Sequence, residues 1–448
     1  MTIIPQEKQN DKCQIESISK FAKAFKLGDT LKKCNVSKAR GVGVTTVFLG
    51  LLSAGFSTKP LNQLLDERDM GGKKDVFYRF MGSTSANWYK FIRQLFAAVL
   101  SVLLLMSKPK ELLVLILDDT LYKRNRSKKV ELLTKIRDHN DGRYYRGFRC
   151  LTLGFHDGVT FLPADYRVIS SQNQKSRYNE MRSDLDKRTI GYKNRKVSMK
   201  SSYELAFDML DKQTTSACHV LFDSWFSEVV MFKTLRQKGL CGIGMLKAKK
   251  GVFCRFKGKT YNLESLYAQV KHLVHFEDDY VSVGVEMLDG TPFSVTFVRS
   301  RQNKRDWLAI GTTDMSLSSR QVIALYSRRW NIEVFFKTVK SCLCFAKEFQ
   351  CRSFDAVVCS IAVVFTRYLI LAWLNIGQPK PDSYGQLYFK LFEQMHQFTF
   401  DDALNFIISE LKTVIVQFDI SLDLSVKDFF SHLPACFQPL AAILYCES

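Results

Sequence analysis

The chain has none of the cysteine spacings that build a metal knuckle or a disulfide-stapled fold. Its twelve cysteines include no Cys-x2-Cys pair, and Cys342-x-Cys344 has no histidine close by. A zinc or disulfide framework is thereby disfavoured, and free thiols in a reducing compartment are expected. Long clean apolar runs are missing too: Leu95 to Met106 covers twelve residues, and Ser360 to Ile376 is interrupted by Arg367. Both read as buried helices, with no membrane partner. The first thirty residues are polar and charged, against a secretory signal and for a cytoplasmic protein. Internal repeats are absent. Acidic residues are in deficit, 44 against 65 basic ones, a net charge of +21 that predicts a polyanionic partner, nucleic acid first, and salt-sensitive binding.

What is present is enough apolar residue, 46% of 448, to bury a large core spread over two to four domains or one elaborated domain. The positive charge is concentrated. Leu121 to Lys200 holds 20 Lys and Arg against 8 Asp and Glu, or +12 of the total +21. Tyr144, Tyr145, Phe148, Tyr178 and Tyr192 lie among these charges, and cations interleaved with aromatic rings suit a nucleic-acid track.

Helical periodicity runs through residues 1–108, which form an expected helical DNA-binding domain decorated by Lys20, Lys23, Lys26, Lys32, Lys33, Lys38 and Arg40; solubilising charge is the alternative reading. From 109 to 246 the texture is α/β. Leu112 to Leu117 is an apolar strand ending at Asp118-Asp119-Thr120, and Gly147 to His156 and Val159 to Ile169 form a hairpin about Asp157-Gly158. Ser170 to Lys200 reads as a loop, with a helix from Ser201 to Lys212. His219 to Phe222 is a short strand ending at Asp223, followed by a helix to Lys238 and a strand from Leu240 to Leu246. Residues 247–306 are a β-rich insertion, 307–353 return to the core, and 354–448 form a helical C-terminal region. Ser318-x-x-Gln321 is a capping box that starts one helix carrying Tyr326 to Lys340.

On that helix Tyr326, Arg329, Glu333 and Lys340 fall at offsets 0, 3, 7 and 14. At about 100° per residue they leave within one narrow sector, with a carboxylate among fixed cations. The spacing Tyr-x2-Arg-x3-Glu-x6-Lys resembles the signature of the DDE insertion-sequence transposases, and Asp118, Asp223 and Glu333, on strand, strand and helix, resemble that family's three acids. For Glu333 an ordinary pair with Lys337 is the plainer alternative.

The resemblance spans approximately Leu112 to Phe349. It implies an RNase H-like mixed-sheet core in two parts, 109–246 and 307–353. It further implies that Asp118, Asp223 and Glu333 are catalytic and hold two divalent ions, Mg²⁺ or Mn²⁺, that activate a water or 3′ hydroxyl. Tyr326, Arg329 and Lys340 would grip a phosphate near the cleaved end, and Trp307 and Trp330 would stack an extruded base. The family's Asp-x-Thr pattern selects Asp118; the residues alone leave Asp119 open. The implied function is cut-and-paste transposition: binding of terminal inverted repeats, cleavage, a hairpin at the excised end, and joining to target DNA by a homodimer. A structure-specific RNase H-like nuclease and a non-catalytic DNA-binding relic are the alternatives.

Overall fold

Among the described residues, six helices precede the first strand: α1 (Glu16–Ala24), α2 (Leu27–Lys33), α3 (Val44–Ala54), α4 (Leu61–Glu67), α5 (Lys74–Met81) and α6 (Trp88–Ser107). α1 and α5 each bury one apolar stripe, Ile18 and Phe21 on the former and Phe77, Phe80 and Met81 on the latter. The computed structural model describes residues 16–393 except 39, 58–60, 68–72, 108–110, 140, 249–250, 252, 274–278 and 300–305. The chain divides into a compact unit, Met1–Leu391, and a second, Phe392–Ser448. Beyond residue 393 the expected C-terminal helical region lies outside the described residues.

The sheet begins with β1 (Val114–Lys123), β2 (Thr134–Arg137), β3 (Tyr144–His156) and β4 (Phe161–Ile169). After α7 (Ile190–Val197) and α8 (Ser202–Asp211) come β5 (His219–Phe222), α9 (Val229–Gln237) and β6 (Cys241–Leu246). The segment expected to be an insertion supplies β7 (Cys254–Phe256), β8 (Lys259–Tyr261), α10 (Leu263–Val270), β9 (Tyr280–Met287) and β10 (Pro292–Arg299). β11 (Trp307–Thr312), α11 (Ser319–Ser327), α12 (Trp330–Ser341) and α13 (Phe354–Asn375) follow, and residues 384–393 are again helical.

One mixed sheet runs in the order β2-β3-β1-β5-β6-β11-β10-β9-β7-β8, and β4 also pairs with β3. β1 is antiparallel to β3 and parallel to β5, and β5 is parallel to β6. The five-strand order β4-β3-β1-β5-β6 is the RNase H-like arrangement expected. The insertion continues this sheet, because β11 pairs antiparallel with β6 and β10 with β11.

Three local expectations are corrected. β1 does not end at Asp118-Asp119-Thr120: the thirteen-residue β3 keeps pairing with it to Lys123, past the last β5 partner at Leu117. The helix expected from Ser318 is two. α11 has the capping box, and at Arg328, Arg329, Asn331 and Ile332 the amides bond back three residues, a 3₁₀-like tightening before α12. The polar stretch 170–200 contains α7, held by buried Arg195, whose guanidinium bonds Glu131 at 2.6 Å and Asp355 at 2.7 Å.

Two helices, Trp88–Ser107 and Phe354–Asn375, are long and apolar enough to cross a membrane. α13 is instead almost wholly buried within the fold, against α6, α3, α5 and β4. Its Arg367 is matched internally, to Glu348 at 2.6 and 2.9 Å and to the Leu52 carbonyl at 3.0 Å. Gly55 makes room for it, since a Cβ there would lie 2.1 Å from the guanidinium carbon. α6 is tied to the sheet by Arg93, which donates to buried Asp165 at 3.0 Å.

Candidate active site

Parallel pairing sets Leu117 of β1 beside Phe222 of β5. Asp118, still paired to β3, and Asp223, the first residue past β5, therefore stand at one level of the sheet, where the β1–β5 ladder ends. Gly244 lies opposite Phe222 on β6, and a Cβ there would stand 2.3 Å from the Phe222 ring, so glycine lets the tip of β5 seat closely. Asp223 then opens a turn: Oδ1 accepts from the Trp225 amide at 2.9 Å and its carbonyl accepts from Ser227 Oγ at 3.0 Å.

Glu333 comes from the first turn of α12. Arg329, one turn before it, donates Nη1 to Asp118 at 3.3 Å and Nη2 to Glu333 at 2.5 Å. Glu333 thus pairs with Arg329 rather than Lys337. A guanidinium bridges two of the three acids, and their ligand oxygens do not all close to within 4.8 Å of one another. Asp119 lines the same cleft, with its carboxylate bonded to Arg149 at 2.8 Å, whose other nitrogen donates to the Arg137 carbonyl and meets His139 Nε2 at 3.1 Å. The two neighbouring carboxylates thus have separate cationic partners, Arg329 for Asp118 and Arg149 for Asp119.

The three acids line one cleft of about 540 Å³, rimmed by Lys123, Arg149, Arg329, Lys337 and Lys340. Burial first, then the charges of Asp223 and Asp119, push Asp118 up to about 8. Burial also raises Asp119, against the opposing pull of Arg149. Partial burial and nearby Lys123 hold the Lys340 ammonium below its ordinary value. Burial pushes the Tyr326 hydroxyl up to about 12, and the Arg329 guanidinium lies 5.9 Å from the centre of its ring. Crowded, poorly neutralised carboxylates with hard oxygen donors fit a divalent cation, and Arg329 occupies part of that electrostatic role between Asp118 and Glu333.

Of the residues marked from sequence, Asp118, Asp223, Glu333, Arg329 and Lys340 meet in this cleft, with Tyr326 behind Arg329. Trp307 does not line it. That ring packs on Tyr267 at 4.9 Å and Phe297 at 5.2 Å. Trp330 is 62% exposed at the start of α12, also outside the lining. Among the aromatic residues of the basic segment, Phe148 is fully buried against Phe354, whereas Tyr144, Tyr145 and Tyr178 carry Lys135, Lys123 and Arg146 over their rings. Sequence reasoning missed Trp225 as a site residue. It lies in the cleft wall two residues past Asp223, 46% exposed, with His139 5.0 Å from its ring and Lys247 over it at 5.4 Å. Its position within Leu221-Phe222-Asp223-Ser224-Trp225-Phe226 was the available signal.

A family model described as a transposase DDE domain matches residues 109–370, more than half of the chain, from just before β1 into α13. The chain belongs to the DDE transposases. No curated protein matches it. Membership implies metal-dependent DNA cleavage and transfer, and DDE transposases generally use divalent metal ions.

Proposed function

We propose that this DDE transposase acts in the cytoplasm as a homodimer on DNA, binding the inverted-repeat ends of its own mobile element, cleaving them and joining the 3′ ends to target DNA by a cut-and-paste route with hairpin ends. The observation that carries this reading is the placement of Asp118 and Asp223 each one residue past the paired Leu117 and Phe222, with Glu333 joined to Asp118 through Arg329, inside one basic-rimmed cleft.

Asp118, Asp223 and Glu333 are the residues that would hold the divalent ions. Two bound Mg²⁺ or Mn²⁺ ions would activate the attacking oxygen and neutralise the leaving oxygen. Arg329 turns its planar fork from the carboxylates to a phosphate, while Lys340 and Lys337 add point charges along the strand path. Half-buried Tyr326 braces the Arg329 side chain. Trp225 and Trp330 offer exposed faces for an unstacked base, and Trp307 is assigned to packing of the insertion.

The test incubates purified protein and Mg²⁺ with element-end and random duplexes. Joined products from end duplexes alone support transposition; cleavage without joining favours a nuclease, and binding without cleavage a relic. Asp223→Ala and Glu333→Ala are expected to abolish cleavage with DNA binding retained, and unaltered cleavage overturns the assignment. Lys340→Ala is expected to weaken end binding; normal affinity counts against a phosphate contact.

A further inference from the structure

The strand whose tip carries Asp223 has another set of ligand-type side chains at its opposite end. Parallel register places His219 of β5 beside Cys241 of β6. β11 runs antiparallel to β6 with Thr312 opposite Ile243, so the chain delivers Asp314 to the same edge two residues later. The ligand atoms of His219, Cys241 and Asp314 all lie within 4.8 Å of one another, and none of the three lines the carboxylate cleft.

The three are held from separate directions. His219 is 6% exposed, and its Nε2 lies 2.8 Å from Asp314 Oδ2. Asp314 Oδ1 is occupied by the Ser316 amide at 2.9 Å and hydroxyl at 2.6 Å, which fixes Oδ2 towards the imidazole. Cys241 is half-buried with the Thr313 hydroxyl beside its thiol, and that hydroxyl also accepts from the Gly242 amide at 3.0 Å. A His–Asp hydrogen bond accounts for two of these groups. It gives no reason for a thiol to share their point of convergence.

We propose that His219, Cys241 and Asp314 form a zinc site that clamps β5, β6 and β11 at the end of the sheet remote from the carboxylate cleft. One imidazole nitrogen, one thiolate and one carboxylate oxygen form a mixed set that suits Zn²⁺, whereas Mg²⁺ is left to all-oxygen sites. Water, which reaches the partly exposed Cys241, takes the fourth position. Zn²⁺ binding releases the Cys241 thiol proton to solvent, and the His219 ring proton moves from Nε2, where it bonds Asp314, to Nδ1, which frees Nε2 for the metal. β5 has only four residues, so the clamp fixes the strand that carries Asp223 from behind.

The experiment is a Co²⁺ titration of the full-length, metal-stripped protein in the absence of DNA. The described lining of the carboxylate cleft has no thiol, so a sulfur-to-cobalt charge-transfer band excludes binding there, and the Cys241→Ala variant assigns the band among the chain's twelve cysteines. One equivalent of Co²⁺ is expected to produce the band and Zn²⁺ to erase it. Cys241→Ala is expected to lose the band, and Asp118→Ala to keep it. Asp314→Asn, which retains a partner for His219, is expected to weaken Co²⁺ binding at least ~10-fold. Absence of the band in the unaltered protein, or its survival in Cys241→Ala, overturns the proposal.

Discussion

Replacing Arg329 with alanine is expected to tighten Mn²⁺ binding by the DNA-free transposase while disabling end cleavage. Arg329 is bonded to Asp118 at 3.3 Å and to Glu333 at 2.5 Å, and the two carboxylates are 17% and 36% exposed. Hydrogen bonds to charged groups contribute about 1.5–3 kcal/mol when well formed and buried. The first bond is long and the second partly screened by solvent, so their joint contribution is about 2–3 kcal/mol. That interaction opposes cation entry, and at about 1.4 kcal/mol per decade its loss raises Mn²⁺ affinity about 30- to 140-fold. Isothermal titration with Mn²⁺ measures the change. Arg329→Lys keeps the charge without the fork, so a smaller gain is expected. The same linkage predicts that an end duplex tightens Mn²⁺ binding in the unaltered protein by drawing the guanidinium to phosphate. Unchanged or weaker Mn²⁺ binding in Arg329→Ala would refute the reasoning.

Asp118, raised to about 8, holds a proton in the metal-free fold that the unfolded chain has already lost above its ordinary range near 3.8. Metal-free stability should therefore fall as pH rises from about 4 through 8, while Mn²⁺ affinity rises; a flat melting temperature across that window, or no flattening in Asp118→Asn, contradicts this. Trp225→Ala should weaken binding of an end duplex with a frayed terminal base by about 1–3 kcal/mol, and Trp225→Phe should restore most of it, as read by 2-aminopurine fluorescence. Gly55→Ala would drive a methyl into the Arg367 guanidinium and disturb its buried pair with Glu348, with an expected loss of about 3–5 kcal/mol in denaturant unfolding. A midpoint equal to that of the unaltered protein would remove Arg367 from the account of stability.

Elements with strong local signals were legible in the sequence. The apolar run of β1, the hairpin about Asp157-Gly158 and the Ser318–Gln321 capping box each announce themselves within a few residues. Asp223 and Glu333 could be placed because each stands next to such an element. α7 was not legible, because Ile-Gly-Tyr-Lys-Asn-Arg-Lys-Val lacks an apolar stripe and its anchor, Arg195, finds Glu131 and Asp355 only through tertiary contact. The extension of β1 depends on the length of β3, which local pattern does not encode. Trp307 and Trp225 show the same limit: both are aromatic beside motif residues, and only packing separates the ring seated on Tyr267 from the one left open beside Asp223.

The brevity of β5 bears on which insertions and deletions the gene can survive. Side chains alternate along a strand, so losing one residue between His219 and Phe222 would turn Asp223 away from Asp118 and spoil both ends of the strand at once. The tip between β9 and β10, at Asp289-Gly290, lies several strands away and can change length without touching that alignment. Sequence drift in this transposase should accumulate at such outer tips, and the span from residue 219 to 223 should keep a constant length.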